Sequence, residues 1–353
     1  MAFNFFIKPQ TGFGLDISSS SVKLWEFERK GKGLSVKGYS ALALPKGLVN
    51  ADMITDRATF AHIFKQAIEK PVFGHFSSKY AVVNLPETKS FVRVIQIPRM
   101  SEIEAESAIP FEAENFIPMP IDQVYLDWQK LSEEGDKINI LIIASPKDFV
   151  DGYLGALEKS GIIPMALEVE SQSCHRALTS PLKKETVLIV DMAESRSSLI
   201  MVEEGNLQFT STIPIAGNTF TDAIAKSLGV SGAKAEMVKT RVGVANTTQY
   251  PNIKTALIPI LTNLGEEIKN ILKFHNEHSE KQVSKIILTG GTARLQHLDE
   301  YLNTELGLTG TTCVVGNPWE NIANVEDPPL DPGESLSYTT AIGLGLRGIH
   351  YEG

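Results

Sequence analysis

Cysteine is nearly missing from this 353-residue chain, which has only Cys174 and Cys313. Two thiols so far apart exclude a disulfide framework and a zinc site built on paired thiolates, and they fit a reducing compartment. Positive charge is also scarce. Lys and Arg number 33 against 42 Asp and Glu, giving a formal charge of -9 and a pI near 5.4. That balance excludes nucleic acid as the main partner, because phosphate-backbone binders carry a basic surface that releases counterions. Long hydrophobic runs are absent: KINILIIAS (137–145) and TVLIVDMA (186–193) stop far short of the roughly 20 residues that a spanning helix needs, so no direct membrane span is expected. The N-terminal MAFNFFIKP lacks an early basic region and a small-residue cleavage site, and reads as a leader before the first strand. Asn246, followed by two threonines, has the form of a glycosylation acceptor that idles in a chain that is not secreted.

What is present is ordinary globular composition, 42% hydrophobic and 21% charged, in a chain too long for one compact core, so two lobes are expected. A supersecondary unit recurs about half a chain apart. Residues 12–44 give an apolar strand (GFGLDI), small polar residues (SSSS), and two further strands around the turn RKGKG. Residues 186–215 repeat this with TVLIVD, MAESRS, SLIMVE, the turn EGN, and LQFTSTIPI. In each copy an acid, Asp16 or Asp191, sits where the apolar strand ends. A carboxylate there costs desolvation energy and serves a ligand, a metal or a cap; an ordinary turn Asp bonding its own backbone is the plainer alternative.

Between the copies, Ser101 and Glu104 have capping-box spacing, and Pro110 and Pro118 are expected to break the helical pattern. The alternating VYLDWQKL and INILIIAS follow as strands, then a helix closed by Gly161, which together suggest an α+β subdomain inserted in the first lobe. Helical patterns occupy about 219–228, 233–242 and 258–277. Near the end, KIILTGGTARLQHLDEYL reads as a buried strand, the pair Gly290 and Gly291, and an amphipathic helix with Leu295, Leu298 and Leu302 on one face. Glycines at such a turn let backbone approach a ligand. Two facing Asp-bearing hairpins and a glycine turn describe a cleft for polyphosphate. Hydroxyls and N–H groups of Ser18, Ser19, Ser20 and Ser21 would hold oxygens there, and Asp16 and Asp191 would orient hydrated Mg²⁺. Lys23 either reaches a phosphate or is a solvated strand lysine.

FGLDISSSSVKLWEF and VLIVDMAESRSSLIMV resemble the two phosphate motifs of the PilM family and its relative FtsA. IILTGGTARLQHLDEYL resembles the adenosine motif, and IPIAGNTFTDAIAKSLGVSGAKAEMVK the segment that enters the smaller subdomain of the second lobe. SFVRVIQIPRMSEIEAESAIPFEAENFIPMPIDQVYLDWQKL is similar to PilM's inserted subdomain. The likeness runs from about residue 12 to 349. It implies an α/β, two-lobed actin-like fold (a duplicated ribonuclease-H-like core) with an inserted α+β subdomain. The expected boundaries are 1–85 for the first lobe core, completed by 164–182 and 336–353, and 86–163 for the insertion. The second lobe core takes 183–218 and 284–335, and its smaller subdomain 219–283.

The resemblance further implies ATP with Mg²⁺ as cofactors, held by Asp16, Ser18 to Ser21, Lys23, Asp191, Ser197, Gly217, Gly290, Gly291 and Thr292. Glu236 and Lys239 would lie at ribose and base, and Glu170 would stand where some relatives position the attacking water. Ser18 and Ala193 depart from the family's glycines, and Ser197 from its threonine. As plainer alternatives, Glu236 and Lys239 make an everyday surface helix pair, and Glu170 a solvated helix-start acid. The pair His275 and His278 and the neighbours Cys174 and His175 read as structural, since no third ligand is near the first pair and the second pair diverges on a helix. By the same resemblance the protein is a scaffold and at most a weak ATPase. It would lie in the cytoplasm at the inner membrane through an N-terminal cytoplasmic peptide of a PilN-type membrane protein, with other pilus assembly proteins as further partners and self-association open. A small-metabolite phosphotransferase and an FtsA-like division protein are the alternatives.

Overall fold

The computed structural model describes residues 11–180, 182–245, 249–250, 252–322, 325 and 328–350; the N-terminal leader and the Asn246 acceptor lie outside the described residues. The chain opens with β1 (Phe13–Ile17), β2 (Ser21–Lys30), β3 (Gly33–Ala43), the short ribbon β4 (Val49–Asn50) and β5 (Met53–Ile54), helix α1 (Arg57–Glu69), β6 (Phe73–Gly74) and β7 (Tyr80–Leu85). Next come β8 (Phe91–Pro98), α2 (Glu102–Glu114), β9 (Val124–Glu134), β10 (Lys137–Pro146), α3 (Lys147–Lys159), β11 (Ile163–Val169) and α4 (Glu170–Leu178). The remainder is β12 (Val187–Met192), β13 (Ser197–Glu203), β14 (Asn206–Ile213), α5 (Gly217–Leu228), α6 (Gly232–Val242), α7 (Ile253–His278), β15 (Lys285–Thr289), α8 (Leu298–Leu306), β16 (Thr312–Val315), α9 (Pro332–Ser335) and α10 (Thr339–His350).

The duplication is visible in strand order. One sheet runs β11-β7-β1-β2-β3-β6, and the other begins β16-β15-β12-β13-β14. In both, the Asp-bearing strand pairs antiparallel with the next strand and parallel with a later one: β1 with β2 and β7, β12 with β13 and β15. Apart from their single acids, β1 and β12 are apolar because both faces are covered. Along β12 the period of two divides the side chains: Val187 and Ile189 join the core shared with β1 and β2, while Leu188, Val190 and Met192 join a second core under α5, α7 and α8. Helix α10 lies directly on β1, since a Cβ on Gly14 would stand 2.4 Å from both Ala341 O and Gly345 N.

The inserted segment brings its own core, built from Ile95, Ile97, Ile109, Ile138, Ile140 and Ile142. Its three strands extend the second sheet in the order β14-β8-β10-β9, through the pair Phe209 and Arg93. Thus a segment expected to belong to the first lobe shares a sheet with the second-lobe strands. The capping box is present: Glu104 N donates to Ser101 Oγ, and Ser101 N to Glu104 Oε2. Two local expectations are corrected. Pro110 lies inside α2 without ending it, because the carbonyl it leaves unpaired belongs to Glu106, on the exposed face. The helix after the double glycine starts only at Leu298; Gly291–Arg294 is a short 3₁₀ turn, and His297, with φ +62°, separates the two.

Candidate functional site

A cleft of about 860 Å³ opens between the two duplicated units. All but one of the expected site residues line it. Asp16, Ser18 to Ser21 and Lys23 come from the first hairpin and Glu170 from the start of α4; Asp191 is the next-to-last residue of β12, Gly217 begins α5, Glu236 and Lys239 stand on α6, and Gly290, Gly291 and Thr292 form the late turn. The exception is Ser197, a correction to the expected set. Its buried hydroxyl donates to the carbonyl of Ile215, away from the cleft, and Ser198 lines the cleft in its place. The duplication explains this: Asp16 pairs across its hairpin with Lys23, and Asp191 with Ser198, at the same offset. Ser198 is therefore the counterpart of Lys23, and Ser197 the counterpart of buried Val22, which aligning the two acids in the sequence would have disclosed.

The missing glycines do not strain the backbone, for neither Ser18 nor Ala193 is among the residues with positive φ. Ser18 instead organises the first turn. Its N–H donates to Ser21 O at 2.9 Å, and its hydroxyl accepts from Ser21 N at 3.1 Å and Ser20 N at 3.4 Å. In the second turn, Ala193 O and Glu194 O accept from Gly217 N and Asn218 N, so this hairpin caps α5. Gly290 is where glycine is needed: φ is +83°, and a Cβ would fall 2.5 Å from Asp191 Oδ1 and 2.6 Å from Met192 O.

The cleft floor is rich in carboxylates, of which Asp16 faces Lys23 and Glu170 faces Arg196 while Asp191 has no cation in contact among the described residues. Burial pushes Asp191 up to about 6, with the charges of Glu170 and Asp16 adding to the shift. Burial also raises Asp16, although Lys23, with Nζ 3.7 Å from Asp16 Oδ2, and Arg196 work against it. Glu170 is raised by burial, with Arg196 working against the shift and Asp16 adding to it. Carboxylates held this way gain from a cation or from a polyphosphate that brings its own.

Lys239 is not a surface lysine. It is buried, and its ammonium donates to Gly217 O at 3.2 Å and Thr221 Oγ1 at 3.0 Å while pairing with Glu236 Oε2 at 2.7 Å. Cys174 Sγ points to Asp191 Oδ2 at 3.6 Å with its thiol raised well above the ordinary range by burial, while the His175 ring bonds Thr179 Oγ1. These two side chains do not form a nucleophile and base. His275 Nε2 faces Lys281 O and His278 Nδ1 faces Phe274 O, each satisfied locally.

Three residues escaped the sequence reading. Asn84, at the end of β7, accepts from Ile17 N at 2.8 Å and donates to Ile17 O and Glu170 Oε1. Arg196, from the β12–β13 turn, donates to both oxygens of Glu170 at 3.1 Å and to Asp52 Oδ1 at 3.1 Å. Asp52 stands at the tip of the β4–β5 ribbon. Only the duplication hints at Arg196, which is the counterpart of Ser21.

The family model for the type IV pilus assembly protein PilM matches residues 14–349. The chain belongs to the PilM family. A solved PilM-PilN type IV pilus biogenesis complex contains a chain that superposes with a TM-score of 0.79 at 28% identity, covering 96% of this chain and 98% of that one. The actin-like MreB 5 of Spiroplasma citri, solved with AMPPNP, superposes at 0.54 with 12% identity over 96% of each chain, a likeness of fold. The cell division protein FtsA of Pseudomonas aeruginosa is 25% identical over 207 residues, 50% of this chain and 45% of FtsA. This member of the PilM family thus spans about half the length of the curated relative it matches, and its fold is the two-lobed actin-like one.

Proposed function

We propose that this PilM-family protein is a nucleotide-gated scaffold of type IV pilus assembly, with ATP and Mg²⁺ in the cleft and a peptide of a PilN-type inner-membrane protein in a separate groove. The observation that carries the nucleotide half is the cleft itself, where two equivalent hairpins aim Asp16 and Asp191 at one volume large enough for a nucleotide. Among the described residues no three His, Cys, Asp or Glu side chains converge as direct metal ligands. Magnesium would take most of its oxygens from phosphate and water, with Asp16 and Asp191 orienting those waters. Ser19 and Ser20 flank the phosphates in this reading, and Glu236 and Lys239 the ribose and base.

The peptide half rests on a groove of about 530 Å³ between the inserted strands and the first lobe. Leu141 and Ile143 of β10, with Tyr125, Asp127 and Gln129 beside them on β9, form one wall, and Leu154 and Leu167 belong to the other; Leu126 and Trp128 turn away onto the insertion's own core. On the groove floor Arg176 and Arg347 share the buried carboxylate of Glu168, which sets two guanidinium groups where peptide carbonyls or an acidic side chain would lie. Apolar pockets beside exposed backbone suit an extended peptide. The two walls belong to different sheets: β9 and β10 are continuous with the second-lobe strands, and β11 with the first. A change in lobe angle therefore changes the width of the groove, which gives nucleotide and peptide a physical route to each other. No described helix is long and apolar enough to cross a membrane, so the membrane partner would supply attachment at the cytoplasmic face.

The test is a melting titration with MgATP. At 100 times its dissociation constant the ligand adds about 2.7 kcal/mol, or about 4 °C for a chain of this length, and the shift is absent in Asp16→Ala. No shift at millimolar MgATP would remove the nucleotide half.

A further inference from the structure

The function proposed above leaves Arg196 without a role. It stands on the second-lobe hairpin, yet every side-chain partner it has in this structure belongs to the first lobe: Glu170 at the start of α4, and Asp52 at the tip of the β4–β5 ribbon. The three side chains are 13–20% exposed, so the pairs are shielded from bulk water. Burial alone would favour the neutral guanidinium, and the two carboxylates more than offset that, so Arg196 stays charged.

The far end of the bridge carries a second, independent observation. Ala51 and Asp52 are consecutive residues in the left-handed region, with φ of +46° and +66°. This is the conformation of a two-residue hairpin turn, for which glycine or asparagine is the comfortable choice and alanine is not. The tip is fixed by the Thr88 hydroxyl, which donates to Asp52 Oδ2 and leaves Oδ1 for Arg196. A strained tip held from behind and aimed at a charge in the opposite lobe is the kind of cost that persists where it has a use.

Glu170 supplies the third part. A carboxylate has about four acceptor positions. Here Oε1 accepts from Asn84 Nδ2 and Arg196 Nη2, and Oε2 from Glu87 N, at 3.5 Å, and Arg196 Nη2. With Arg196 in place, no position is left to take a proton from an attacking water.

We propose that Arg196 is a latch between the lobes, which holds them together through Asp52 and keeps Glu170 occupied, so that nucleotide is held without turnover until the latch is released. The closing function stands on geometry alone. The withholding function rests on the nucleotide reading above.

Two measurements separate these. Spin labels at Lys65→Cys in α1 and Lys273→Cys in α7 report the distance between lobes; both positions are exposed, and Cys174 and Cys313 are buried. Without nucleotide, Arg196→Ser and Asp52→Ser should each broaden the distribution and lengthen its mean, and the double variant should do no more than Arg196→Ser alone. Distributions unchanged in both single variants overturn the latch. With MgATP, turnover by Arg196→Ser should exceed that of the unaltered protein by tenfold or more, and Glu170→Gln in the same chain should return it to background. Turnover no higher than that of the unaltered protein, with nucleotide demonstrably bound, overturns the withholding. Failure of both proteins to bind ATP overturns the nucleotide reading and the withholding with it, while the label distances still decide the latch.

Discussion

Asp191→Asn should make the ligand-free protein more stable while removing its response to nucleotide. The side chain stands next to last on a strand that is otherwise wholly apolar, and it shares the cleft floor with Asp16 and Glu170, so its carboxyl is raised from 3.8 to about 6. Because the folded-state value is the higher one, the folded protein binds the proton more tightly than the unfolded chain. Charge at this position therefore costs stability above pH 6, and the cost fades as pH falls towards 4. At 1.36 kcal/mol per unit the cost is about 3 kcal/mol at pH 7.5 and about 1 kcal/mol at pH 4.5. These are ceilings, since the residue is half-buried and cleft water reaches it. With about 2.1 cal/mol/K of unfolding entropy per residue, 3 kcal/mol corresponds to a rise of about 4 °C in Tm for this chain. Scanning calorimetry of both proteins without nucleotide at the two pH values measures the difference, and the unaltered protein cancels all other titrations. A variant less stable than its parent at pH 7.5, or a difference that does not shrink on acidification, would refute the idea that this carboxylate is held at a cost.

Three further outcomes are expected. Gly290→Ala places a methyl group 2.5 Å from Asp191 Oδ1 in a left-handed backbone, and should lower stability by about 2–4 kcal/mol and abolish the MgATP melting shift; denaturant unfolding with and without nucleotide reads both. Glu87, raised to about 7 by burial, accepts from Ser171 N and Oγ in α4 and bonds Thr210 in β14 at the junction of the two sheets. As with Asp191, the raised value means stability is lost as pH climbs from about 4.5 to 7, so Glu87→Gln should flatten the dependence of Tm across that range. Leu154→Lys puts a charge in the groove wall and should weaken binding of the PilN-type peptide at least tenfold, with the MgATP shift intact; isothermal titration checks the first and calorimetry the second.

Much of the site could be read from the chain because its signals are local. Asp16 and Asp191 announce themselves as acids at the ends of apolar strands, and their neighbouring turns of small polar residues repeat at the same spacing. Gly290 is legible for the same reason, as a residue that only a close backbone approach requires. What escaped depends on contacts between distant segments. Arg196 and Asp52 are 144 positions apart, and no periodicity links them. The pairing of β8 with β14 joins the insertion to the other sheet through a register that neither strand specifies alone. Ser197 entered the expected set through the family resemblance, and the cross-strand pairing of Asp191 with Ser198 is what shows which hydroxyl faces the cleft. Pro110 misled in another way, since inside α2 its lost bond frees only the carbonyl of the exposed Glu106, and the helix runs on.

The central claim is that the cleft and the groove are linked through sheets that belong to opposite lobes. The most direct measurement is the affinity of a synthetic peptide spanning the N-terminal cytoplasmic segment of the PilN-type protein, titrated with and without saturating MgATP, together with the affinity for ATP with and without peptide. Each ligand should change the affinity of the other, by the same factor of about 5 or more. Two ligands that bind, each with an affinity indifferent to the other, would contradict it.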